Sequence, residues 1–284
     1  MRPSTYTLLL GTVLGLSSCS LPGGTWSTYY SQQRLHPRPS APAESRAAPR
    51  SLTILEAPRL PVTTTVQVPH RVAALQRLER QVGRLSHPSA LHVAFEAYWN
   101  FRSAHPEQVR NPYFYFVDYG LESDEPRGYV FDMDALTIVE GPFTVAHGRG
   151  SEEGMRGIPT RFTNIMDSAA SSLGLYLTQE TYRFVGTSAG RRYHSIGLRL
   201  HGVSGSFNSA ARKRGIVVHG APYVTPTKAG RSEGCPAMEM DRAERLIPLI
   251  ANGGLVFLFS PRDASWMRND PWVSGTGSRL AAAE

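Results

Sequence analysis

The sequence predicts a mainly β fold with peripheral helices, an α+β arrangement in which a β-sandwich or open barrel is preceded by two helices. Three observations carry this expectation. Two stretches before residue 105 space their apolar residues at a helical period, short β-type runs separated by turn-rich segments follow Pro112, and one further helix and strand close the series.

In chain order, Leu75, Leu78, Val82 and Leu85 keep a 3-4-3 spacing that predicts a first helix. After His87-Pro88, the set Leu91, Ala94, Phe95, Tyr98 and Phe101 predicts a second. Both stripes read as packing faces, and His92 and His105 as surface residues rather than ligands. The period then shifts toward two, with strands expected at 113–117, 129–133, 138–139, 143–145, 175–177, 195–201 and 216–219. Toward the C-terminus Asp241 and Glu244 resemble a capping box, 243–251 reads as a helix that Pro248 kinks or ends early, Gly253-Gly254 stop it, and 255–259 is a last strand. From residue 260 on, only a short tail with Trp266 and Trp272 is expected.

The 284 residues carry a net charge of +7, but its distribution excludes a nucleic-acid reading. Ten Arg face three Glu in the first 90 residues, whereas twenty basic and twenty acidic residues cancel in the remainder. Only Lys213 and Lys228 are lysines, and no stripe of basic and aromatic residues marks the folded part. At the N-terminus Arg2 precedes an apolar run at 8–16 and then Leu16-Ser17-Ser18-Cys19, the small-residue pattern of an export signal that is too short to span a membrane. Residues 20–70 are rich in Pro, Ser, Thr, Ala and Arg, which makes them a tether; about fifty such residues span roughly 40 Å as a flexible coil. The expected organisation is therefore a signal segment at 1–19, a tether at 20–70, a helical segment at 71–108, a catalytic domain at 109–262 and a tail at 263–284.

Chemistry concentrates at 216–238. A β-type run ends in His219, and a loop with Pro222, Pro226 and Gly230 leads back through Arg231-Ser232-Glu233-Gly234 to Cys235. A thiol is only slightly ionised near neutral pH, and an imidazole beside it supplies the activation that a nucleophile needs. Gly234 allows close approach of backbone to substrate, and the amides of Glu233, Gly234 and Cys235 are candidate oxyanion donors, worth about 3–4 kcal/mol each in other acyl-transfer enzymes. Pro236 has no N–H to give. The alternative for Cys235 is a buried structural cysteine. His201 reads as a structural or rim residue, and His147 as lining the cleft or packing in a turn. A zinc site from His147, His201, His219 and Cys235 lacks any close ligand pair, so no metal and no cofactor is expected. Gly148-Arg149-Gly150 and 186–190 match no phosphate-loop fingerprint and read as turns. Arg199 and Arg212 are read as solvated surface.

Two resemblances add to this reading. The segment around Cys19 resembles a bacterial lipoprotein signal. That implies lipidation of Cys19, export and, given Ser20, anchorage at the periplasmic face of the outer membrane, with a soluble periplasmic or secreted protein as the alternative. Cys235 is then the one thiol left, and no intrachain disulfide can form. His219-Gly220-Ala221 followed by 230–237, GRSEGCPA, resembles the L,D-transpeptidase catalytic domain, in the exported murein branch whose cysteine is followed by Pro-Ala. Val145-Ala146-His147-Gly148, Phe162-Thr163-Asn164 and 171–178 support it. The resemblance covers residues 110 to 260. It implies that Cys235 attacks the peptidoglycan stem carbonyl preceding the terminal D-Ala, that His219 moves protons with the Gly220 carbonyl orienting its ring, and that Arg231, Ser232 and Tyr223 shape the substrate site. A hydrolase of the same bond or of a wall-lipoprotein linkage, and a non-catalytic wall-binding lipoprotein, are the alternatives. Glu233 and Pro236-Ala237 depart from the commoner branch, which has His before the Gly-Cys pair.

Overall fold

The computed structural model describes residues 67–152 and 157–273. The signal segment with Cys19, and the tether up to residue 66, lie outside the described residues. Helix α1 (Gln67–Glu79) starts inside the stretch expected as tether, and Leu75 and Leu78 bury its apolar side. It ends before Val82 rather than running on to Leu85. Gln81 and Val82 donate three residues back, to Leu78 and Glu79, which tightens the last turn, and the Gly83 amide then donates to the Tyr129 hydroxyl at 3.0 Å. Val82 and Leu85 still pack on the core from the connecting segment. Helix α2 (Ala90–Ala104) follows the expected stripe and buries Leu91, Ala94, Phe95, Tyr98 and Phe101.

The strands are β1 (Tyr113–Asp118), β2 (Gly128–Asp132), β3 (Thr137–Phe143), β4 (His147–Gly148), β5 (Gly174–Ser188), β6 (Arg191–Gly202), β7 (Val217–Gly220), β8 (Val224–Thr225), β9 (Lys228–Ala229), β10 (Arg231–Ser232), β11 (Ala237–Met238) and β12 (Leu255–Phe259). Eight of them form one mixed sheet in the order β11-β7-β6-β5-β12-β1-β2-β3, parallel at β1/β12 and β7/β11 and antiparallel elsewhere. The two ends of this order meet: Ala146, three residues beyond edge strand β3, bridges Ala237 of edge strand β11 through 2.8 and 3.3 Å hydrogen bonds. The fold is mostly β as expected, a mixed sheet preceded by helices, and this contact brings the β4 region against the cysteine loop. Pairs β4/β10 (parallel) and β8/β9 (antiparallel) form separate small ladders.

Strands β1 and β12 are buried almost throughout because both sheet faces are covered. Side chains alternate along β1: Phe114 meets Phe95 and Tyr98 of α2, whereas Tyr115 stacks on Phe143, which lies under Arg242 of helix α4 (Met240–Ile250). The short helix α3 (Ala211–Arg214) ends at Gly215, whose left-handed conformation (φ 69°) turns the chain into β7. Helical segment and sheet therefore share one core, whereas the sequence divided them at residue 109.

Three local expectations need correction. First, β5 and β6 run far beyond 175–177 and 195–201, joined at Ala189-Gly190, both at positive φ as a tight hairpin turn requires. The outer hairpin is half-exposed and polar on alternate positions, so it lacks the apolar density of a core strand. Second, α4 begins at Met240 with Glu239 at the cap and no side-chain capping bond; Asp241 lies in the first turn, and Pro248 sits within the helix, two residues before its end. Third, the tail is part of the fold. Helix α5 (Ala264–Asn269) seats Trp266 against Phe257 and Phe259, and Trp272 packs on Phe101 and donates to the Val203 carbonyl at 2.7 Å. No helix among the described residues is long and apolar enough to cross a membrane.

Candidate active site

His219 lies on β7 between two neighbours, with Gly197 of β6 on one side and Ala237 of β11 on the other as Cα partners. An interior strand position holds it stiffly, and it is only 3% exposed. Its backbone N–H donates to the Pro236 carbonyl at 3.3 Å, which fixes the chain beside Cys235 to β7. The ring Nδ1 is 3.0 Å from the Gly220 carbonyl oxygen. A carbonyl only accepts, so Nδ1 carries the proton and Nε2 keeps a lone pair. Ser195 also donates to that oxygen, at 2.9 Å, and so fixes the carbonyl that fixes the ring. Burial pushes the His219 pKa below its ordinary value, with the Gly220 bond acting in the opposite sense, and the resting imidazole is neutral. Phe184 of the long hairpin and Tyr223 stand edge-on to the ring at centroid distances of 5.8 and 6.5 Å.

Cys235 is half-buried, and its Sγ lies 3.8 Å from the carbonyl of Gly215, two residues before β7. The loop before it is closed by a single hydroxyl: Ser232 Oγ donates to the Cys235 carbonyl at 2.6 Å and accepts from the Gly234 amide at 3.2 Å. Gly234 adopts φ 123°, and a Cβ there would stand 2.9 Å from the Ala170 carbonyl oxygen and 3.0 Å from Ile216 Cδ1, so glycine is required. Two sequence expectations change as a result. Ser232 is 3% exposed and shapes the loop from within rather than facing substrate. The Gly234 amide is already engaged by Ser232 Oγ, which removes it from the oxyanion candidates.

Arg231 likewise turns inward. It binds the Glu152 carboxylate through Nε, and its NH1 donates to Ser123 Oγ at 3.1 Å and to the carbonyls of Ala229 and Gly230 at 2.9 and 3.0 Å. Its guanidinium braces the loop, although Arg231 also walls a cleft of about 600 Å³ shared with Glu122, Asp124, Thr227 and Lys228. Glu233 points outward to Arg149, 2.8 Å away. Cys19 lies outside the described residues. Arg199 and Arg212 both pair with Glu180, at 3.0 and 3.2 Å.

Three groups that sequence reasoning left aside, or unresolved, support the loop. His147, fully buried on β4, is the Cα partner of Arg231. Its Nδ1 accepts from the buried Arg127 guanidinium at 2.9 Å, and its Nε2 is 3.7 Å from Glu152. Burial, with Arg127 and Arg231 adding to it, lowers its pKa to about 2, so it packs as a neutral ring. Arg214, at the end of α3, donates to the carbonyls of Thr163 and Ala170 at 2.8 and 2.5 Å; burial lowers its pKa, while Tyr176 and Cys235 act to raise it. Ser171 accepts from the Gly148 amide at 3.0 Å and donates to the Gly234 carbonyl at 2.9 Å. Its position within 171–178 was the only signal of it in the sequence. The segments around Gly148, Thr163 and Ser171 thus converge on the cysteine loop. No group of three or more His, Cys, Asp or Glu side chains among the described residues is placed to hold a metal ion.

Among solved structures, similarity extends to an L,D-transpeptidase from Stackebrandtia nassauensis (10% identity, 68% of this chain and 93% of that one, TM-score 0.33) and to one from Xylanimonas cellulosilytica (14%, 67% and 93%, TM-score 0.31). An L,D-transpeptidase from Mycobacterium smegmatis matches at 12% identity over 52% of this chain, which spans 58% of the length of that protein, with a TM-score of 0.31. The comparison with curated protein sequences finds no match. The profile of the L,D-transpeptidase catalytic domain matches residues 84–259, more than half of the sequence, and on that match the chain belongs to the L,D-transpeptidase catalytic-domain family.

Proposed function

We propose that the protein is a cysteine-dependent peptidoglycan L,D-transpeptidase. One observation carries this reading: the Nδ1 proton of His219 is committed to the Gly220 carbonyl, which leaves Nε2 as the base, on a strand laid in parallel beside the one that follows Cys235. In the proposed cycle the Cys235 thiol gives its proton to His219 and the thiolate bonds to the carbonyl carbon of the L-centre before the terminal D-Ala. Collapse of the tetrahedral species breaks the C–N bond, D-Ala leaves with the proton from His219, and a thioester remains. An amine of a neighbouring stem then attacks the thioester, His219 takes its proton, and the sulfur leaves as thiolate. Water in place of the amine gives the hydrolytic outcome. The pattern at Cys19 supports an exported, lipid-anchored enzyme that reaches the wall on its Pro-rich tether.

Incubating the purified protein with disaccharide tetrapeptide and analysing the products by mass spectrometry tests this. Cross-linked dimer and free D-Ala are expected from the wild type and neither from Cys235→Ala. Identical products from both proteins would overturn the proposal, and tripeptide without dimer would assign the chain to hydrolysis instead.

A further inference from the structure

The geometry around the nucleophile identifies a residue that orients the oxyanion donor. A trans peptide unit is planar, with its C=O and N–H pointing in opposite directions. The unit joining Gly234 to Cys235 has its carbonyl turned inward, where the fully buried Ser171 hydroxyl donates to it at 2.9 Å, and the N–H of Cys235 therefore points the other way, away from Ser171. The next unit is held as well, because Ser232 Oγ donates to the Cys235 carbonyl at 2.6 Å and Pro236 contributes no N–H. The preceding amide, at Gly234, is spent on Ser232. Ser171 is itself fixed: its N–H donates to Ser151 Oγ at 2.8 Å and its Oγ accepts from the Gly148 amide at 3.0 Å. A Cβ on Gly148 would come within 2.6 Å of Gly234 Cα, so the two backbones are already at contact, and the Ser171 hydroxyl links the Gly148 amide to the Gly234 carbonyl.

We propose that Ser171 is a positioning residue for acyl transfer: its hydroxyl sets the Gly234–Cys235 peptide so that the Cys235 N–H meets the oxyanion formed on the carbonyl that Cys235 attacks. This rests on the assignment of Cys235 as the acylated nucleophile and deepens it by naming the group that aims the donor. Ser171 touches no substrate. The attacking sulfur needs no oxyanion donor when it displaces iodide from iodoacetamide, but does need one when it adds to an ester carbonyl, and this separates orientation of the donor from reactivity of the thiol.

The experiment compares wild type, Ser171→Ala and Ser171→Thr in two reactions of Cys235. One is alkylation by iodoacetamide across pH. The other is single-turnover acylation by 4-nitrophenyl acetate, in which the S–C bond forms, the carbonyl π pair moves to oxygen, and its return expels 4-nitrophenolate. For Ser171→Ala, acylation is expected to fall about 100-fold while alkylation stays within about twofold with an unchanged pH profile, and Thr restores acylation. Unchanged acylation, or an equal fall in both reactions, overturns the proposal. Because Ser171→Ala leaves two buried backbone groups unpaired and could unfold the loop, a second measurement uses the wild type: the Cys235 amide proton is followed by NMR as a peptide aldehyde adds to the sulfur. A downfield shift is expected, and its absence overturns the proposal. The ester probe needs no wall peptide, so loss of the tetrapeptide reaction alone would sink the murein assignment while leaving Ser171 tested.

Discussion

At the scale of single residues, the site works by fixing carbonyls. The Gly220 oxygen receives both His219 and Ser195, and removing the second donor frees the first to tilt. Ser195→Ala is expected to slow turnover about three- to tenfold, the equivalent of one net hydrogen bond, with little change in KM, measured by steady-state kinetics on tetrapeptide. Buried imidazoles also set the acid sensitivity. His147 and His219 both have folded pKa values below the ordinary one, so on acidification the unfolded chain takes up protons that the folded chain refuses. Their contribution is fully present above pH ~6.5 and is lost as pH falls, continuing for His147 down to its folded value of about 2. Asp118 and Asp270, raised by burial, have the opposite sign. Urea unfolding at pH 7 and pH 5 should therefore show a smaller loss in His147→Asn than in the wild type; an equal loss in both would contradict the neutral, buried ring.

At the scale of elements, the long β5/β6 hairpin is the part that reaches over to His219. Beyond Ile196 its outer part adds no buried residue to the large core, yet it places Phe184 edge-on to His219 and against Tyr182 and Tyr193. An aromatic pair of this geometry is worth about 0.5–1.5 kcal/mol, so Phe184→Ala is expected to lower the acylation rate by up to about tenfold. The melting temperature should hardly change, since the side chain is only half-buried. A large drop in melting temperature would instead make the hairpin structural. β4 and β10 form a two-residue ladder in which His147 is the Cα partner of Arg231, and Glu152 binds the Arg231 guanidinium and so braces it against the loop.

At the scale of the whole molecule, both ends of the described chain belong to the core. Leu75 and Leu78 of α1 and Trp266 beyond β12 are buried in the same apolar cluster as β1. Trp266→Ala should destabilise the protein by about 3–5 kcal/mol, read as a lower urea midpoint, and a chain ending at residue 262 should fail to fold cooperatively. If the truncated chain unfolded with wild-type cooperativity and midpoint, the C-terminal segment would be the dispensable tail that its composition implied. The sheet closes in the same spirit: Ala146 and Ala237 join its two ends, and the cysteine loop lies at that junction.

The sequence by itself determined the mainly β class, the helical stripe of α2 and the strand that carries His219, because periodicity is a local property of a chain. It also carried the motifs by which the family is recognised. Only the tertiary structure decided that Ser232 and Arg231 face inward, that the Gly234 amide is engaged, and that Ser171, His147 and Arg214 support the cysteine loop. Those outcomes depend on which hydrogen-bonding groups meet across loops far apart in the chain, and a buried polar group takes whichever partner the fold brings within reach.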